Sequence, residues 1–101
     1  LSTKIKKYLL KNIPYGNMDQ KQVAEELAIS PRIMQKKLKD EGTTYSRVLD
    51  ECREKIALKL LTNNITPIVE IASLLGFSAQ SNFSRSFKRW TGKTPKQFRS
   101  M

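Results

Sequence analysis

Two stretches of this chain carry the same apolar pattern, and that repetition limits the possible fold more than any other feature. Ala24, Leu27 and Ile29 recur 48 positions later as Ala72, Leu75 and Phe77, and Met34 and Leu38 recur 49 positions later as Phe83 and Phe87. One residue inserted near the turn of the second copy accounts for the change of spacing. In each copy a small residue lets two helices approach, an apolar residue (Ile29 or Phe77) plugs a corner, and a pair spaced i, i+4 buries the next helix. Generic helical-hairpin repeats would give a similar pattern, but solenoids usually need about three or more units to close a core. Two copies of one turn between two helices have the packing logic of a helix-turn-helix.

The rest of the chain supports an all-α fold, because apolar residues recur at helical spacing and strand-type alternation is absent. Punctuation predicts about seven helices. The first runs over 2–12 with Ile5, Tyr8 and Leu9 inward, and ends before Pro14 and Gly16. Asp19 followed by Gln22 announces the second as a capping box, with Val23, Ala24 and Leu27 inward. Ser30-Pro31 opens the third, Ser as N-cap and Pro at the first helical position, with Met34 and Leu38 buried and Gly42 as the stop. The fourth and longest extends from Thr44 to about Asn63, with Tyr45, Val48, Leu49, Cys52, Ile56 and Leu60 on one stripe and Ala57 and Leu61 beside it. Thr66-Pro67 starts a fifth ending near Gly76, Ser78 caps a sixth ending near Thr91-Gly92, and Thr94-Pro95 with Gln97 opens a short seventh. The expected organisation is a first helix-turn-helix lobe over 1–43, a linker helix over 44–65 and a second lobe over 66–101.

Charge narrows the function. Lys and Arg total 19 against 9 Asp and Glu, a net charge of +10 on 101 residues. Residues 71–101 hold Arg85, Lys88, Arg89, Lys93, Lys96 and Arg99 and no acid. Such a surface attracts a polyanion, and each cation that neutralises a DNA phosphate releases a condensed counterion, so binding should weaken steeply with salt. No apolar run approaches the roughly 18 residues that a membrane span needs, and the expected location is cytoplasmic. Cys52 is the single cysteine and histidine is absent. No intramolecular disulfide or Cys-based zinc site can form, and the commonest metal ligand and general base is missing, so neither a metal, a cofactor nor an enzymatic activity is expected.

At these same residues the chain resembles the AraC/XylS class of bacterial transcription regulators, in their C-terminal DNA-binding region. The resemblance covers nearly the whole chain. It rests on Val23-Ala24-Glu25-Glu26-Leu27-Ala28-Ile29-Ser30, on Arg53 with Ala57, Leu60 and Leu61, on Glu70-Ile71-Ala72 with Leu75-Gly76-Phe77-Ser78, on Phe83-Ser84-Arg85-Ser86-Phe87-Lys88, and on Gly92-Lys93-Thr94-Pro95-Lys96-Gln97-Phe98-Arg99. It implies two homeodomain-like lobes bridged by the fourth helix, binding double-stranded DNA through two adjacent major-groove segments. A helix of about 18 residues is about 27 Å long, and lobes at its ends could sit about one DNA turn, some 34 Å, apart. The family also implies RNA polymerase as a partner of the full-length regulator, and a separate N-terminal sensing and dimerisation region that is expected beyond this chain. Two departures bear on the first lobe: the stretch from Leu38 to Tyr45 is one residue shorter than in many members, and Arg32 stands where many carry an aromatic residue.

The candidate DNA contacts follow from the helix faces. On the third helix Met34 and Leu38 point inward, leaving Arg32, Gln35 and Lys36 as candidate base readers, with Lys39 on the same side. Arg can fork onto O6 and N7 of guanine, Gln onto N6 and N7 of adenine, and Lys can donate to guanine or phosphate. On the sixth helix Gln80, Ser81, Ser84 and Arg85 lie opposite Phe83 and Phe87 and match the base-reading positions of the family. Candidate phosphate contacts are Ser30, Lys37, Lys39, Ser78, Lys88, Arg89, Lys93 and Thr94, together with free amides at the starts of the second and seventh helices. At the second helix the Asp19 carboxylate is expected to occupy that place itself. Cys52 and Tyr45 read as packing residues, and Trp90 as closing the second core.

Two other classes of function compete. A general polyanion binder explains the charge but requires no doubled, capped turn. A cysteine-based alkyl-transfer repair enzyme can carry a similar DNA-binding region, but Cys52 lies on an apolar stripe with no histidine to activate it.

Overall fold

A computed structural model describes residues 1–13 and 19–101, which form seven helices and no strand: α1 (Ser2–Asn12), α2 (Gln20–Glu26), α3 (Pro31–Asp40), α4 (Tyr45–Thr62), α5 (Ile68–Leu74), α6 (Gln80–Thr91) and α7 (Pro95–Arg99). The stop signal at Pro14 and Gly16 lies outside the described residues. Side-chain caps start four of the helices. Asp19 Oδ1 accepts from the Gln22 amide at 2.8 Å, Ser30 Oγ from the Ile33 amide at 3.2 Å, and Thr44 Oγ1 from the Arg47 amide at 3.2 Å. At α7 the reciprocal box forms: Thr94 Oγ1 accepts from the Gln97 amide while Gln97 Oε1 accepts from the Thr94 amide. Each satisfies an amide that would otherwise lack a partner inside the helix.

Two starts differ from the expectation. Pro67 is the N-cap of α5 rather than its first helical residue, and no side chain caps that end. Ser78 does not cap α6; the N-cap is Ala79, which has no side-chain acceptor.

The described residues divide into two compact units, Leu1–Cys52 and Arg53–Met101, and the division falls inside α4. The first unit is built on Ile5, Leu9, Ile13, Val23, Ala24, Met34, Leu38, Val48 and Cys52, all nearly inaccessible. Ser2 also donates from its amide and hydroxyl to the Glu41 carboxylate, tying the start of α1 to the end of α3. The second unit is built on Ala57, Leu61, Ile71, Ala72, Leu75, Phe83 and Phe87. In α4 the buried pairs are thus Val48 with Cys52 and Ala57 with Leu61, whereas Tyr45, Leu49, Ile56 and Leu60 are only half-buried. Burial passes from the expected stripe to the neighbouring Ala57 and Leu61 in the second half of α4, because each half serves its own core. Each large buried side chain contributes about 1.5–3 kcal/mol. With cores this small, one truncation removes a large part of a unit's stability.

The internal repeat holds at the level of the backbone. Ala28 and Gly76, 48 positions apart, both take a left-handed conformation, with φ of 58° and 88°. The next residues, Ile29 and Phe77, donate to the carbonyls of Ala24 and Ala72, each at 3.0 Å. From there the N-caps Ser30 and Ala79 are 49 apart, which identifies Ser78 as the inserted residue. The repeat also extends further than the apolar pattern reveals. Gly42 and Gly92, 50 apart, are both left-handed, and Thr44 and Thr94 then cap α4 and α7 alike. Each copy is therefore two helices, the turn between them and the start of a third helix. No helix among the described residues is long and apolar enough to cross a membrane.

Candidate nucleic-acid interface

In α3 the buried Met34 and Leu38 decide which way the helix faces. Arg32, Gln35, Lys36, Lys37 and Lys39 are all exposed. None of the four cations forms an ion pair within 4.0 Å among the described residues. Their positive ends are thus available to an outside anion. Gln35 and Lys39 turn toward the start of α4, where they line an open cleft of about 490 Å³ with Gln20, Thr43, Thr44, Tyr45 and Ser46. Ile33, 48% exposed, interrupts the polar face. Ser30 is exposed, but its hydroxyl oxygen is engaged by the Ile33 amide.

In α6 a run of aromatic contacts fixes the inner face. Phe83 lies 5.6 Å from Phe77 and 5.8 Å from Phe87, and Phe87 contacts Trp90 at 6.4 Å and Phe98 at 5.7 Å between ring centroids. These tilted and edge-on geometries suit aromatic quadrupoles and leave α6 little freedom to rotate. Gln80, Ser81 and Arg85 are exposed on the outer face, while Ser84 is only half-exposed. The Arg85 guanidinium is held along its own helix: Nη2 donates to Asn82 Oδ1, and Asn82 Nδ2 donates to Ser78 Oγ at 3.2 Å. In the sequence the only signal of Asn82's role is its i, i+3 spacing to Arg85.

The flanking candidates divide. Lys37, Lys88, Arg89 and Lys93 are exposed. Thr94 is occupied by its capping box, which corrects the expectation of free donors at that terminus: Thr94 gives its amide to Gln97, Gln97 gives its own to Thr94, and Pro95 has none. Only the Lys96 amide remains in that turn. At α2 the Asp19 carboxylate does occupy the terminus.

Two cations of the basic C-terminal half are turned inward to helix ends. Arg53 Nε donates to the Leu75 carbonyl at 3.0 Å, at the C-terminus of α5. Arg99 donates from Nε to the Leu61 carbonyl and from Nη2 to the Leu60 carbonyl, at 3.4 and 3.2 Å, in the last turn of α4. Helix C-termini carry unpaired carbonyls and partial negative charge, so a guanidinium satisfies both. Arg99 thus belongs to the frame of the second unit and not to its outer positive surface. Cys52 is buried, its Sγ 4.0 Å from the Lys6 carbonyl. Trp90 packs on Phe77 and Phe87, with its indole N–H buried and without a hydrogen-bond acceptor among the described residues.

Comparison with known proteins agrees with this geometry. Residues 23–101 match the family described as "Helix-turn-helix domain". The chain is 44% identical over 99 residues to the ornithine utilization regulator of Pseudomonas aeruginosa, covering 98% of this chain and 29% of that protein. It therefore spans under a third of the length of that relative. Among solved structures, a DNA-binding transcriptional dual regulator from Escherichia coli K-12 superposes with a TM-score of 0.91 at 31% identity, covering 98% of this chain and 88% of that one. A transcriptional regulator from Chromobacterium violaceum, described as having an AraC-type DNA-binding domain, gives a TM-score of 0.85 at 26% identity over 97% of this chain and 88% of that one. Together with the two equivalent turns, these matches show that the chain belongs to the helix-turn-helix domain family, in the AraC-type class of transcriptional regulators.

Proposed function

We propose that this chain binds double-stranded DNA sequence-specifically, as the DNA-reading region of a bacterial transcription regulator, by placing α3 and α6 in adjacent major-groove segments. The observation that carries the reading is the pair of equivalent turns, each presenting a helix with a buried apolar face and an exposed face of Arg, Lys and Gln. Base edges would be read by Arg32, Gln35 and Lys36 on α3 and by Gln80, Ser81, Ser84 and Arg85 on α6, through the donor and acceptor patterns of the major groove. Lys37, Lys39, Lys88, Arg89 and Lys93 would neutralise backbone phosphates. Ser30, Ser78 and Thr94 have their hydroxyl oxygens engaged within the protein, and each would add at most its hydroxyl proton. The segment 44–65 would act as the spacer between the two reading helices.

In the whole regulator this region would work beside a sensing and dimerisation region and contact RNA polymerase to activate transcription in the cytoplasm. The similarity to a regulator of which the chain spans 29% supports that assignment. Selection of bound duplexes from a random pool, at near-physiological salt, tests the reading. A motif of two short blocks about one helical turn apart is the expected result. Retention of all duplexes alike, with steep salt dependence, would replace it with a general polyanion binder.

A further inference from the structure

We propose that Asn82 is a positioning residue of α6, aiming the Arg85 guanidinium at one base pair; the inference rests on the reading of Arg85 as a base contact. Asn82 is half-buried and has both ends of its amide engaged. Its Nδ2 donates to Ser78 Oγ, which turns Oδ1 toward Arg85, and Oδ1 accepts from Nη2. A guanidinium carries five N–H donors in a planar fork. One bond to Asn82 therefore leaves a pair of donors for O6 and N7 of a guanine. The acceptor is a neutral carbonyl in a segment, 71–101, that contains no carboxylate. Arg85 is thereby steered without being locked into an ion pair that DNA would have to break.

Among its described residues the first unit shows no counterpart of this device. With the 49-residue offset, Lys36 corresponds to Arg85 and Ile33 to Asn82, and an exposed isoleucine can orient nothing by hydrogen bonding. Ser78, the acceptor that sets the amide, is the residue inserted in the second turn. The insertion in the second turn thus lies where the orientation of the reading arginine is decided.

Holding a flexible side chain before binding spares the cost of ordering it at the interface, a gain of about 3- to 10-fold in affinity. The test is a double-mutant cycle with the intact chain, using the duplex recovered by selection and variants of it changed at single base pairs. Asn82→Ala is expected to weaken the preferred duplex about 3- to 10-fold and to relax preference at one base pair only. In an Arg85→Ala background the same substitution should cost less than about 2-fold. Ser78→Ala, at an exposed site, should give a smaller loss at that same base pair. Equal losses from Asn82→Ala in both backgrounds would overturn the proposal, because Asn82 would then act on DNA or on the fold independently of Arg85. If Arg85→Ala changes no base preference, the base-contact reading fails and the proposal with it. If Arg85→Ala does change one and no coupling to Asn82 is found, the proposal fails alone.

Discussion

The Arg53 guanidinium lies 4.5 Å from the centroid of the Phe77 ring while its Nε donates to the Leu75 carbonyl. One side chain from α4 thus grips the residues on both sides of Gly76, and Phe77 in turn packs on Phe83 at the base of α6. A hydrogen bond from a charged donor contributes about 1.5–3 kcal/mol, and a cation over a ring about 0.5–2 kcal/mol. Arg53→Ala should destabilise the second unit by about 2–3 kcal/mol in chemical denaturation, and Arg53→Lys should recover less than half of that because ammonium lacks the planar fork. A loss below about 0.5 kcal/mol would mean that the turn holds itself.

The left-handed turn position is filled differently in the two units. Ala28 has φ of 58°, a conformation costly for a residue with a Cβ, whereas Gly76 meets the same requirement at 88°. Ala28→Gly should stabilise the first unit by about 0.5–1 kcal/mol, relief of strain outweighing the greater freedom glycine has when unfolded. Gly76→Ala should destabilise the second by about 1 kcal/mol; its new Cβ would also stand 3.4 Å from Arg53 Nη2. Denaturation midpoints measure both, and shifts of the same sign would contradict the equivalence of the turns.

Phe87 is fully buried and touches Phe83, Trp90 and Phe98. Phe87→Ala should cost about 3–5 kcal/mol, enough to unfold a unit with so small a core. Trp90 is the single tryptophan of the chain and reports on this unit. Its emission in the variant should resemble that of denatured protein without denaturant, and a native spectrum would show that the aromatic cluster tolerates the cavity.

Salt dependence should separate backbone contacts from base contacts. Residues 53–101 carry nine Lys and Arg against two acids, whereas residues 1–52 carry ten against seven. Lys88→Ala should weaken binding to every duplex alike and reduce the slope of log affinity against log salt by about one unit. Arg85→Ala should instead cost about 1–3 kcal/mol on the selected duplex and relax preference at one base pair. An unchanged slope would remove Lys88 from the contacts, and a uniform loss would make Arg85 a phosphate contact.

The seven helices, the inward pairs Met34 with Leu38 and Phe83 with Phe87, and most caps were legible from the sequence alone. Helical periodicity and capping are local, depending on residues within about four positions of one another. The doubled turn was legible for the same reason, since the corner-filling Ile29 and Phe77 keep a constant spacing from Ala24 and Ala72. Partnerships spanning tens of residues were not. Only the tertiary structure decided that Arg53 and Arg99 satisfy the carbonyl ends of α5 and α4 and leave the outer positive surface, and that α4 buries Ala57 and Leu61 in place of Ile56 and Leu60. It also decided that Ser78, which reads as a cap, accepts a hydrogen bond from Asn82 instead. A cation, a helix stripe or a hydroxyl has the same local signature in either role, and its role is settled by which unpaired groups the packed chain brings within about 3 Å of it.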